Sequence, residues 1–175
     1  MAAEISLPES LRDVELVRSV RTPARLEFIY TPGEAATKFL RAVGQKRLIG
    51  ARAPGGKVYV PPRGADPQLG KPTTEEVELA HVGTVTSFCV VNVAFYGSQM
   101  ELPYTSALIK LDGADQPIMH LLQEVATDDV RIGMRVEAVW VPDDEIGETL
   151  ESIKHFRPTG EPDVEVIQPQ EGVTW

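Results

Sequence analysis

The stretch Val82-Gly83-Thr84-Val85-Thr86-Ser87-Phe88-Cys89-Val90-Val91-Asn92-Val93-Ala94-Phe95 is crowded with β-branched and aromatic residues and reads as a long strand. The pattern returns downstream. Residues 106–111 form a second strand that ends on the turn signal Asp112-Gly113; residues 117–125 and 135–141 form two more, and residues 151–156 a last one. Between them lies Asp128-Asp129-Val130-Arg131-Ile132-Gly133-Met134-Arg135-Val136. There Gly133 permits a sharp turn into a strand whose Val136, Ala138 and Trp140 share one face. Five strands within about 80 residues, with one short helix at most, predict a small closed Greek-key barrel.

Upstream the punctuation changes. Residues 50–72 carry Gly50, Pro54, Gly55, Gly56, Pro61, Pro62, Gly64, Pro67, Gly70 and Pro72 around one short strand, Lys57-Val58-Tyr59-Val60. Before that module, Ala36, Phe39, Leu40 and Val43 follow the spacing of one apolar helix face, with Lys38, Arg41 and Gln45 away from it. Thr31-Pro32-Gly33-Glu34 supplies a hydroxyl cap, a proline and a returning glutamate for its start, and Gly44 an end. Arg25-Leu26-Glu27-Phe28-Ile29-Tyr30 alternates as a half-buried strand. The expected organisation of this mostly β chain is therefore an N-terminal tail (1–24), a strand and amphipathic helix (25–49), a turn-rich module (50–73), a five-stranded barrel (74–157) and an extended, acidic, proline-containing tail (158–175).

Composition bounds the function. The chain has 175 residues, 17 Lys+Arg against 26 Asp+Glu, and a net charge of −9. A surface meant to displace the counterions of nucleic acid needs the opposite balance. No apolar run reaches the roughly 20 residues of a membrane-spanning helix, and acids scattered through residues 1–20 do not fit an export signal. The single Cys89 rules out an internal disulfide and suits a reducing compartment, so a cytoplasmic protein without a membrane partner is expected.

Motifs for chemistry are sparse. His81, His120 and His155 fall in different predicted strands and match no HxH or HExxH spacing, and Cys89 sits within a strand, where a thiol usually packs as a small apolar group. The carboxylate pairs Asp128/Asp129 and Asp143/Asp144 fall in predicted loops. Charge placement says more. Residues 35–65 contain no acid but hold Lys38, Arg41, Lys46, Arg47, Arg52, Lys57 and Arg63, leaving 10 basic against 26 acidic residues elsewhere. Such a block can hold a phosphorylated ligand, dock on an acidic protein face, or be an ordinary solvated surface.

The run Arg52-Ala53-Pro54-Gly55-Gly56-Lys57-Val58-Tyr59-Val60-Pro61-Pro62-Arg63-Gly64-Ala65-Asp66-Pro67 resembles the rubredoxin-like zinc ribbon that precedes an OB-fold in a widespread domain-of-unknown-function family. The family occurs in bacteria and archaea, and its members are accessory proteins of thiolases. The likeness continues through Gly83-Thr84-Val85-Thr86-Ser87-Phe88, Ala107-Leu108-Ile109-Lys110-Leu111-Asp112 and the Gly133 corner, over about residues 25–157. One departure stands out. Where the family pattern places cysteines this chain has Ala53 and Gly56, and again Asp66 and Leu69, so a zinc-free ribbon is expected, with no cofactor.

The resemblance implies a non-catalytic subunit that supports a thiolase-fold enzyme acting on acyl-CoA thioesters, by thiolysis or by aldol cleavage of substrates such as steroid side chains. The partner would bring the catalytic Cys or Tyr and His, in an assembly of two plus two. Lys38, Arg41, Arg52, Lys57, Tyr59 and Arg63 are the candidates for contacting that partner or its coenzyme A. Two other readings stay open: a stand-alone acyl-CoA binder or thioesterase-like enzyme, and an OB-fold that binds single-stranded nucleic acid through stacking aromatics.

Overall fold

A helix cap cannot be read from residue types alone, because a shift of one or two positions changes which groups can meet. In the computed structural model, which describes residues 27, 29–73, 75–94 and 100–166, helix α1 runs Glu34–Val43 with Gly33 as its cap and no capping side chain. Glu34 therefore opens the first turn, too early to reach back to a cap amide. It pairs instead with Lys38 one turn on, at 2.7 Å. The expected box of Thr31 and Glu34 does not form.

The chain divides into Met1–Thr31 and Pro32–Trp175. Of the first unit only Glu27, Ile29, Tyr30 and Thr31 are described, none of them in a strand. The rest of the strand expected over 25–30, the tail over 1–24 and the end of the C-terminal tail lie outside the described residues. All that follows concerns the second unit.

The apolar face of α1 buries Phe39, Ala42 and Val43 and half-buries Leu40. Gly44 ends the helix in the right-handed region (φ −61°), and the residue that turns left-handed is Lys46 (φ 55°). What Gly44 supplies is closeness, since a Cβ there would sit 3.3 Å from Glu148 Cγ and 3.5 Å from the Gly147 carbonyl oxygen.

The turn-rich module is a three-stranded antiparallel sheet in the order β2-β1-β3, built from β1 (Leu48–Arg52), β2 (Val58–Tyr59) and β3 (Glu75–Leu79). Only β2 was visible in the sequence. Strand β1 crosses the boundary expected at 49/50, and β3 pairs with β1, from Leu48 opposite Leu79 to Arg52 opposite Glu75, so the module's sheet runs past residue 73. Gly50 sits where these strands crowd: a Cβ there would meet Val58 Cγ1 at 2.8 Å and the Tyr59 carbonyl oxygen at 3.0 Å.

The barrel forms as expected. Its strands are β4 (Val82–Val91), β5 (Tyr104–Leu111), β6 (Ile118–Leu122), β7 (Arg135–Trp140) and β8 (Ile153–Pro158), closed in the order β4-β5-β6-β8-β7. All neighbours are antiparallel except β6 and β8, which meet in parallel at Leu122 and Phe156. This is the strand order of an OB-fold. Val85, Ile109, Leu111, Val136, Ile153 and Phe156 are sealed inside it. They form one continuous cluster with Val43 of α1 and with Leu48, Val58 and Leu79 of the small sheet, so helix, sheet and barrel share a core.

Gly133 does serve as a barrel corner, in the left-handed region at φ 93°. It has a second role, because the extended tail crosses it: Val164 N–H donates to the Gly133 carbonyl at 2.9 Å, and a Cβ on Gly133 would lie 2.5 Å from the Val164 carbonyl oxygen. Arg131 and Asp163 clamp the same crossing. Among the described residues no helix is long and apolar enough to cross a membrane.

Candidate functional site

The seven basic residues of 35–65 do not emerge as one positive surface. Lys38 pairs with Glu34 at 2.7 Å, Arg52 with Glu75 at 3.0 Å, Arg47 with Glu78 at 2.7 Å, and Lys46 with Asp143. Antiparallel pairing explains two of these four pairs, since β3 lays Glu75, Glu76 and Glu78 alongside β1. Arg41, Lys57 and Arg63 stay exposed, with no acidic partner within ion-pair distance among the described residues. Tyr59 is buried at 3% exposure, and its ring carries the Arg63 guanidinium 5.6 Å above its centroid.

A cleft of about 260 Å³ opens beside the start of α1, with Lys38 on its wall together with Glu34, Glu75 and Glu76. Three acids and one lysine make a poor seat for coenzyme A phosphates. Of the six residues singled out from the sequence, the structure thus brings Tyr59 and Arg63 together, commits Lys38 and Arg52 to ion pairs, and leaves Arg41 and Lys57 free to meet a partner.

Zinc does not fit the ribbon-like module. It needs three or four donors, and the four positions offer Ala53, buried; Gly56, at φ 90°; Asp66, buried; and Leu69, 54% exposed. Only Asp66 has a donor. Among the described residues no group of three or more His, Cys, Asp or Glu side chains is arranged to hold a metal.

A surface that sequence reasoning missed lies on the outside of β4, β5 and β6. Ser87 pairs with Leu108 and Leu108 with Met119; Cys89 pairs with Ser106 and Ser106 with Leu121; Val91 pairs with Tyr104. These residues line one trough of about 520 Å³, and none of them is charged. Met119 is 73% exposed and Leu108 37%. The expectation of a buried Cys89 is corrected here. A β-bulge between Val85 and Ser87 resets the alternation, so Phe88 packs against the core and Cys89 faces out.

The histidines serve structure. Trp140 Nε1–H donates to His81 Nδ1 at 3.3 Å, and His155 Nε2 meets Glu124 Oε1 at 2.7 Å. His120 lies edge-on to Phe156, centroids 5.5 Å apart, and its Nδ1 accepts from the Leu121 N–H at 2.9 Å. Burial holds the His120 imidazole below its ordinary pKa. The unfolded chain then takes up this proton first, so the stabilisation is complete above about pH 6.5 and is lost as the pH falls towards the folded value. Melting temperatures measured from about pH 8 down to pH 5 should fall through this window, and His120→Gln should flatten that part of the curve.

Asp128 and Asp129 stay in an exposed single turn of 3-10 helix, as expected. Asp143 does not remain unperturbed, because Lys46 holds its carboxyl below the usual range.

With this geometry in place, the comparisons become specific. A family model described as the C-terminal OB-fold domain of ChsH2 matches residues 76–141, from β3 through β7. A DUF35 domain-containing scaffold protein of Methanocaldococcus jannaschii is 37% identical over 95 residues, which cover 53% of this chain and 67% of that protein. The chain belongs to the DUF35 family. Among solved structures, a chain of the Ltp2-ChsH2(DUF35) aldolase is similar with a TM-score of 0.57 and 25% identity, over 74% of this chain and 98% of its own. A DUF35 protein of unknown function from Sulfolobus solfataricus shares the fold with a TM-score of 0.53 at 17% identity, over 72% of this chain and 84% of its own. The DUF35 assignment covers the OB-fold; it does not extend to a zinc ribbon.

Proposed function

We propose that this DUF35 chain is a non-catalytic accessory subunit that docks on a thiolase-like enzyme acting on acyl-CoA thioesters. The observation that carries the reading is the uncharged trough on the outer face of β4, β5 and β6, where Met119 is left 73% exposed on a chain of net charge −9. Apolar side chains grouped in the open mark interaction surfaces, and interface cores are poor in charge and rich in Met and aromatic residues. Two relatives support a partner: one is named a scaffold protein, and one is a DUF35 chain of an aldolase. Arg41, Lys57 and Arg63 are the cations left to meet acidic groups of the enzyme or its coenzyme A, with Lys38, Arg52 and Tyr59 supporting them. The acyl specificity and the catalytic residues belong to the partner, and two-fold symmetry of that enzyme would give an assembly of two plus two.

Co-expression with a thiolase-like protein of the same organism, followed by size exclusion, should yield one heteromeric peak. Met119→Glu with Leu108→Glu should weaken the complex at least about tenfold, roughly 1.4 kcal/mol, by burying charge at its centre. Arg41→Glu, Lys57→Glu and Arg63→Glu together should weaken it less and more so at low salt. Two independent peaks for the unmodified pair would overturn the reading. The stand-alone acyl-CoA binder gains no support from a cleft in which acids outnumber lysine, nor does the nucleic-acid reading from a trough lined by no basic residue.

A further inference from the structure

In a zinc ribbon two short turns are tied together by the metal they both ligate. This chain keeps both turns. The first closes through the Gly56 N–H to the Ala53 carbonyl and the Ala53 N–H to the Lys57 carbonyl, each at 2.8 Å. The second closes through the Gly70 N–H to the Asp66 carbonyl and the Asp66 N–H to the Lys71 carbonyl, again at 2.8 Å, and is braced by the bridge between Ala65 and Pro72. The positions that would carry ligands fall in these two turns, and three of the four have no donor.

The fourth does. Asp66 is 3% exposed, an unusual place for a carboxylate in a loop made mostly of exposed residues. Its Oδ1 accepts from the Gln68 N–H at 2.8 Å and the Leu69 N–H at 3.2 Å within its own turn. Its other oxygen faces the first turn, where a Cβ on Gly55 would lie 3.5 Å from Asp66 Oδ2, and the Gly55 amide there helps to hold the carboxyl ionised. Lys57, which follows the first turn, is the charged group set near it. A buried anion that is bonded to the amides of one turn and packed against the other does the joining that a cation would do by collecting thiolates. The polarity of the link is inverted, and the backbone provides its ligands.

We infer that the Asp66 carboxylate replaces the metal of the ribbon, joining the turns 53–56 and 66–70 so that the module folds without zinc. The Gln68 and Leu69 amide bonds, with the nearby Gly55 amide and Lys57, hold the carboxyl below its ordinary pKa, in keeping with an anion at this spot. The link is independent of the partner-binding reading, since it concerns how the isolated chain holds its module.

Amide hydrogen exchange on the full chain tests it at residue resolution. In Asp66→Asn the side chain keeps its size and loses its charge, and the amides of Gly55, Gln68 and Leu69 should exchange at least about tenfold faster while those of Val85 and Ile109 in the barrel keep their protection. Treating the unmodified protein with 1,10-phenanthroline should change none of these rates, and the purified chain should carry far less than one zinc per molecule. Unchanged exchange at Gly55, Gln68 and Leu69 in Asp66→Asn would overturn the inference. So would faster exchange at those amides on adding the chelator, or a full equivalent of zinc. If Asp66→Asn lowers protection across the barrel as well, Asp66→Glu decides: its longer carboxylate should restore the barrel and part of the Gly55 protection, and restoration of neither would also sink the idea.

Discussion

Phe156→Ala is expected to lower the melting temperature by about 10 °C, the largest drop of any single truncation in the barrel. Phe156 is completely buried and is the largest of the fully enclosed side chains. It stands on β8 where that strand meets β6 at the single parallel pair with Leu122, and it also pairs with Ala138 of β7. Removing a buried phenyl ring costs about 3–5 kcal/mol, and in a domain of this size each kcal/mol shifts melting by about 2–4 °C. That is a large part of a total stability of roughly 5–15 kcal/mol. A second readout separates a cavity from general loosening. His120 owes its depressed pKa first to burial, and Phe156 covers one edge of its ring. In the truncated protein water reaches the imidazole, so its titration, followed by NMR, should move back towards the ordinary value. A loss of under about 3 °C, within the range of a surface change, would show that the barrel closes without this ring.

Gly83→Ala is expected to damage the fold by about 3 kcal/mol, although it adds one methyl group. Gly83 lies where the barrel seam passes between β5 and β7, opposite Leu111 on one side and Val136 on the other. A Cβ at this position would lie 2.6 Å from the Lys110 carbonyl oxygen and 3.0 Å from the Leu111 α-carbon. Both are backbone atoms that cannot rotate away, so β5 must shift and its ladder bonds must lengthen. Gly147→Ala provides the control, since its nearest neighbour would be a methyl group of Thr149 at 3.7 Å. That variant should melt within about 0.5 kcal/mol of the parent. Equal stabilities for the two variants would mean that the seam adapts more readily than its geometry says.

The barrel was legible because its strands are rich in β-branched and aromatic residues between turn signals and its corner needs a glycine, all local properties. What was missed depends on residues far apart in sequence. Leu48–Arg52 is short and lacks the alternation of a half-buried strand, being buried along most of its length, while Glu75–Leu79 is acidic and has weak strand propensity. Their pairing forms the sheet, and it also cancels the charge that looked segregated along the chain. Lys46 meets Asp143 and Arg47 meets Glu78 only after folding. The uncharged trough hid for a related reason. Leu108 alternates with the buried Ala107 and Ile109, and counting outward from them would have put it in the open. The exposure of Cys89 needed the bulge between Val85 and Ser87, which no residue type announces. Asp66 was noticed only as a lone possible ligand, because the first turn, with Gly55 against its second oxygen, is brought to it by the fold.

The uncharged trough has a colloidal consequence. Two copies of a chain at −9 repel each other, and at low ionic strength that repulsion keeps the trough around Met119 and Leu108 from finding its like. Physiological salt shortens the range of the repulsion to about 8 Å. Sulfate goes further, strengthening the tendency to bury apolar surface while screening the charge. A docking surface made of ion pairs would fall apart as salt rises. This one should grow more adhesive, so the protein alone keeps best in dilute buffer, and added salt favours whatever covers the trough.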